Sequence, residues 1–172
     1  MSKTFRQYNY GIIKGVSMTA AGCGPTALAD IIYNRDSSIT PAKVAEWLYS
    51  AGAFSSSGTT RTGITRALEH YGFQSFYFTP EHTGNQEWND AVELLKASRD
   101  AYIWGIALTV GTVNGGKDNY WTSGGHFIAI TDYDASQNTI YVRDPAGRRD
   151  GYQKVSNLVY DCNAIWVIAK AY

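Results

Sequence analysis

The chain has 172 residues, 44% of them hydrophobic, enough to bury a core without disulfide or metal staples. Its 15 basic and 15 acidic residues cancel, and no Lys/Arg block or basic stripe stands out, so a nucleic-acid partner is not expected. Two cysteines make no disulfide framework, and with no CxxC pair or His/Cys cluster neither a structural metal nor a cofactor is implied.

The opening segment, Met1-Ser-Lys-Thr-Phe-Arg6, lacks an apolar stretch of signal-peptide length, and no later stretch is long enough to span a membrane. The expectation is a monomeric single domain over residues 1–172, made in the cytoplasm or excised from something larger. The first helix is expected to start within Ala21-Gly-Cys-Gly-Pro-Thr26. Pro25 suits the first helical position, and Leu28, Ile31 and Ile32 recur at helical spacing to bury one face. Cys23 then sits at a helix start, where unpaired N–H groups and the dipole favour an anion. Gly22 and Gly24 leave room for another backbone beside the sulfur. This is how a nucleophile is presented; the competing reading is a small packed thiol.

Thr40-Pro41 caps a second helix through Val44, Trp47 and Leu48, closed by Gly52. Residues 55–60 read as a loop. Ile64, Leu68 and Tyr71 mark a third helix, with His70 in its last turn and Gly72 just beyond, a position that gives this histidine a structural role. Phe73 to Phe78 is a strand, His82 an exposed turn residue, Trp88 to Ala97 a helix, and Ala101 to Val110 a central strand. Residues 111–125 form a long segment leading directly to His126. Segments of that length without structure of their own are uncommon unless functional. Two readings stand: a lid with Tyr120, Trp121 and Gly125 facing substrate, or a loop anchored by an inward-packed Trp121.

His126 opens the strand Phe127-Ile-Ala-Ile-Thr-Asp-Tyr133, and after a turn at 134–138 a second strand runs from Thr139 to Asp144, stopped by Pro145. Centring the hairpin near Ser136 pairs Ile130 with Val142 and sets Asp144 diagonal to His126 on one face, about 7–8 Å away at the backbone. Asp132 shares that face but lies about 20 Å along the strand, too far to be the partner. Cys162 is expected to be a packed residue at the edge of the last strand. Helices first and strands last is an α+β arrangement.

Gly22-Cys-Gly-Pro-Thr26, Gly124-Gly-His-Phe127 and Val142-Arg-Asp-Pro145 together resemble the three signature blocks of the bacteriocin-processing-like branch of papain-like cysteine peptidases. The resemblance implies a papain-like fold, with a helical N-terminal half packed on a C-terminal antiparallel sheet. It also implies Cys23 as nucleophile, His126 as base and then acid, and Asp144 as the group that orients His126. Members usually carry a glutamine shortly before the cysteine that helps form the oxyanion hole. Here the one upstream glutamine is Gln7, and Ser17 stands nearer, so Gln7, Ser17 or backbone groups are the candidate donors. The substrate expected is a peptide bond, with bacterial cell-wall peptidoglycan (lysin-like) preferred. Cleavage of a leader peptide, or a catalytically silent binding domain, are the alternatives.

Overall fold

The structure is a computed structural model that describes residues 3–80, 85–97, 104–109, 120–122, 124–159 and 161–169. A short 3-10 turn, Gln7–Asn9, and a two-residue ribbon, β1 (Ile12–Ile13) with β2 (Val16–Ser17), precede helices α1 (Met18–Ala21), α2 (Cys23–Ile32) and α3 (Pro41–Ser50). A second ribbon, β3 (Phe54–Ser55) with β4 (Gly58–Thr59), leads into α4 (Arg61–His70). The rest alternates strand and helix: β5 (Gln74–Phe78), α5 (Asn85–Lys96), β6 (Trp104–Thr109), β7 (His126–Asp134), β8 (Thr139–Arg143), β9 (Gly151–Lys154), α6 (Ser156–Val159) and β10 (Cys162–Ala169). The six long strands form one antiparallel sheet in the order β5-β10-β6-β7-β8-β9.

Side-chain alternation along β7 sends Phe127 and Ala129 toward the helical N-terminal half, and Ile128 and Ile130 into a second apolar cluster. That second cluster holds Trp88, Ala91 and Leu95 of α5 together with Trp121 and Leu158, so the sheet is covered on both faces. Coverage of both faces is why the first five residues of β7 are all buried, histidine included. The helical half is centred on α2, whose residues 24–32 are buried on every side rather than along one stripe. Each large apolar side chain so enclosed stabilises the fold by about 1.5–3 kcal/mol.

The capped starts are as the sequence implies. The hydroxyl of Thr40 accepts from the Lys43 N–H at 3.2 Å, and Gly52 and Gly72 take the positive φ that ends α3 and α4. His70 is exposed and stacks on Trp47 with ring centroids 4.3 Å apart. Cys162 is buried at the first position of β10. Pro25 is the third residue of α2, not the first, because α1 and Gly22 bring the chain in one turn earlier. The site is tolerated for the same reason, since the first four N–H groups of a helix have no intrahelical acceptor. Residues 55–60 are not a plain loop but the tip and return strand of the β3–β4 ribbon, too short to show a period. The helix at Trp88 to Ala97 and the central strand within 101–110 are present as α5 and β6, while residues 101–103, 110 and His82 lie outside the described residues.

One buried acid sits beneath this half. Asp30, on α2, is 1% exposed; its Oδ1 accepts from the Phe5 N–H at 2.8 Å and its Oδ2 has no hydrogen-bond partner. Burial pushes its carboxyl well above the ordinary 3.8, against the Phe5 hydrogen bond and the charges of Arg143 and Arg6. The folded chain therefore keeps a proton that the unfolded chain releases. The contribution is full below 3.8 and is lost as pH rises through the folded value. Asp30→Asn keeps an acceptor for Phe5 and cannot ionise. Its Tm should exceed that of the unsubstituted chain by a margin that widens from acid to neutral pH. A margin that does not change with pH would mean Asp30 is ionised in the fold.

Candidate active site

Cys23 is the first residue of α2 and is part-exposed, and its N–H belongs to a helix turn with no intrahelical acceptor. The glycines around it make room for their own neighbours rather than for a backbone at the sulfur. A Cβ on Gly22 would fall 2.5 Å from the Met18 carbonyl oxygen, and one on Gly24 would fall 2.4 Å from the Thr59 hydroxyl. Thr26 pins the turn by donating its hydroxyl to the Gly22 carbonyl at 2.7 Å.

His126 is 7% exposed at the start of β7, opposite Thr109 of β6, whose hydroxyl donates to the His126 carbonyl at 2.9 Å. Its Nε2 lies 2.6 Å from Asp144 Oδ1, and the ring also hydrogen-bonds Cys23. With Nε2 taken by the carboxylate, Nδ1 is the nitrogen that faces the sulfur. Burial of the ring works against its charge. The hydrogen bonds to Asp144 and Cys23 and their charges outweigh it, raising the imidazole from 6.5 to about 9.

Asp144 is fully buried directly after β8. Besides His126, its carboxylate accepts from the backbone N–H groups of Ala146 at 2.9 Å and of Arg148 and Arg149 at 3.0 Å. Burial raises its pKa, but the hydrogen bond and charge of His126 and the backbone donors win, and it lies below 3.8. The hairpin register next to His126 is the one the apolar pattern implies, with Ile130 opposite Val142. A bulge at residue 131 then shifts the pairing by one. Tyr133, not Asp132, returns to the Ile130 face, and Asp132 turns to accept from Tyr152 at 2.8 Å.

Neither of the two side chains considered as oxyanion donors lines the cleft beside Cys23. Gln7 is buried, and its two amide hydrogens go to the carbonyls of Met18 at 3.2 Å and Thr19 at 2.8 Å. It tethers the turn before Cys23 through those two bonds. Ser17 is exposed and accepts from the Ala20 N–H as the cap of α1. Backbone N–H groups at the start of α2 have no intrahelical acceptor and lie in the same turn as the sulfur.

A cleft of about 350 Å³ opens beside Cys23. Gly125, in the segment before His126, is among the residues that line it. Trp121 is on the other side of the sheet, 1% exposed within the second cluster, its indole N–H donating to the Asn157 carbonyl at 2.9 Å. Tyr120 packs against the same cluster and bonds Gln153 at 2.5 Å, with the Arg149 guanidinium 4.0 Å over its ring. Of the segment 111–125, residues 111–119 and 123 lie outside the described residues. The cleft wall the sequence did not mark is the β3–β4 ribbon, through Ser57, Gly58 and Thr59, facing Leu108 and Phe127. The one local signal was the Ser55-Ser-Ser-Gly58 run, turn chemistry ahead of a capped helix.

A helical half on an antiparallel sheet, with a cysteine at a helix start against a histidine on the sheet, defines a cysteine peptidase of papain-like fold. The chain belongs to the Peptidase_C39 like family, whose family model matches residues 3–171. No curated protein matches it. The solved structures that share the fold include the following two. The peptidase domain of Streptococcus ComA, a bi-functional ABC transporter involved in a quorum sensing pathway, aligns with TM-score 0.62 at 16% identity, over 98% of each chain. A double glycine motif protease from an AMS/PCAT transporter, in complex with the leader peptide, aligns with TM-score 0.55 at 16% identity, over 97% of this chain and 95% of that one. Among the described residues, no helix is long and apolar enough to cross a membrane, and no group of three or more His, Cys, Asp or Glu side chains could hold a metal ion.

Proposed function

We propose that this peptidase cleaves an extended peptide after small residues, in the manner of a double-glycine leader peptidase. Cys23 attacks the scissile carbonyl, and the oxyanion forms against backbone N–H groups at the start of α2. His126, held by Asp144, protonates the leaving amine, then takes a proton from the water that releases the acyl-enzyme. The observation that carries this reading is the Cys23–His126–Asp144 line of hydrogen bonds at the edge of a cleft walled by Ala20, Ala21, Gly58 and Gly125. Walls of that size leave room for backbone and small side chains next to the sulfur, while Leu108 and Phe127 offer apolar contact further out.

The leader-peptide substrate named for one fold neighbour fits this cleft, and it takes the place of the cell-wall substrate preferred on sequence grounds, for which the matched structures give no support. A silent binding domain has no use for a histidine so strongly tied to both a thiol and a carboxylate. The test is mass spectrometry after incubation with two substrates: a peptide with an internal Gly-Gly followed by unrelated sequence, and purified peptidoglycan. Cleavage after the second glycine by the unsubstituted chain, absent in Cys23→Ala, is the expected result. Release from peptidoglycan with the Gly-Gly peptide left intact would overturn it.

A further inference from the structure

The turn at 144–150 is gripped from the far end of the chain. The Asp150 carboxylate accepts from the Asp144 N–H at 2.8 Å, and the Arg6 guanidinium donates to the Asp144 carbonyl at 2.9 Å. Arg6 and Asp150 pair with each other through Nη1 and Nη2 of the guanidinium. Each main-chain polar group of Asp144 is therefore held by one member of a single ion pair. The turn is shaped to admit Arg6: Gly147 has φ +74°, and a Cβ there would stand 2.9 Å from Arg6 Nε. The neighbours of Arg6 act with it. The Gln7 N–H donates to the Pro145 carbonyl at 3.0 Å, and the Arg143 guanidinium donates to the Thr4 hydroxyl.

Two residues of the same segment, Phe5 and Gln7, also hold the cysteine side of the cleft. The Phe5 N–H is bonded to Asp30 of α2, and the Gln7 amide donates to the Met18 and Thr19 carbonyls of α1, the short helix that precedes Cys23. An ion pair whose side chains are 25% and 32% exposed adds little to stability by itself. Its geometric role is larger: a bidentate guanidinium fixes direction as well as distance.

We propose that Arg6 and Asp150 are positioning residues for catalysis, fixing the Asp144 main chain so that its carboxylate meets His126, while residues 4–7 couple that turn to the helix start bearing Cys23. The proposal rests on the Cys23–His126–Asp144 reading of the site.

Arg6→Ala, Arg6→Lys and Asp150→Asn are compared with the unsubstituted chain by turnover of the Gly-Gly peptide, by NMR titration of the His126 ring, and by thermal melting. Arg6→Ala is expected to lower kcat by about 10- to 100-fold with KM within about twofold. The ring titration should fall from about 9 toward 6.5 as the carboxylate moves away. Arg6→Lys should recover part of kcat, since a cation still meets Asp150. A pair that serves only the fold would lower Tm and leave kcat and the ring titration unchanged, and that result overturns the proposal. Should Arg6→Ala fail to fold, Asp150→Asn decides on the same readouts, because it keeps the shape and an acceptor oxygen but loses the charge. The ring titration needs no substrate. A chain that shows the raised titration yet cleaves neither peptide nor peptidoglycan would fail the proposed activity and leave this test standing.

Discussion

Cys23→Ala and His126→Ala should each lower kcat by at least about 10⁴-fold, and the double variant should be little worse, because groups that act as a unit do not lose activity additively. Asp144→Asn is the more informative change. Both carboxylate oxygens meet donors: Oδ1 meets His126 and the Ala146 N–H, and Oδ2 the Arg148 and Arg149 N–H groups. An amide must therefore turn its NH₂ toward the imidazole or toward two backbone N–H groups, and either choice opposes donor to donor. We expect kcat to fall by about 10²- to 10⁴-fold in a folded protein. The alkaline limb of the kcat/KM profile, near 9 while His126 keeps its partners, should move toward 6.5. The same pair carries a stability signature. The His126 contribution is full below 6.5 and lost as pH rises through about 9, and the Asp144 contribution is present above 3.8 and lost as pH falls through its depressed value. Near-normal turnover by Asp144→Asn would remove Asp144 from the site.

The second large effect is on stability. Trp121→Ala should destabilise the fold by about 3–5 kcal/mol, the cost of a cavity left by a fully buried indole. It would also leave the Asn157 carbonyl without its donor. The measurement is a urea midpoint, with KM determined on the folded fraction. An unchanged midpoint with a raised KM would restore the substrate-facing reading of this residue. The two readings of Trp121 had equal standing in the sequence because an aromatic next to a long polar segment serves a core as readily as a groove. What separates them is the second apolar layer on the sheet, built by α5 and Leu158, residues remote from Trp121 in the chain.

The placing of Cys23 at a helix start was legible because its signals are local. Gly-Cys-Gly-Pro ahead of an apolar run marks a helix start, and a helix start places an N-terminal side chain in a known electrostatic setting. The hairpin joining His126 to Asp144 was legible for a similar reason, since period-two alternation around a short turn fixes which residues face each other. It failed one step past Ile130, where the bulge turned Asp132 outward. A single extra residue in a ladder leaves no trace in an alternating pattern of apolar and polar side chains.

The sequence by itself determined the α+β order of elements, the helix that presents Cys23, and the diagonal of His126 and Asp144 across one hairpin, all contacts between residues close enough in the chain for spacing to specify them. Only the tertiary structure decided what Gln7 does, which face Trp121 joins, that the β3–β4 ribbon walls the cleft, and that Arg6 meets a turn 138 positions away. The physical reason is the same in each case. A side chain with spare hydrogen bonds or apolar area is committed by whatever the fold brings against it, and no periodicity along the chain records a partner that arrives from another layer.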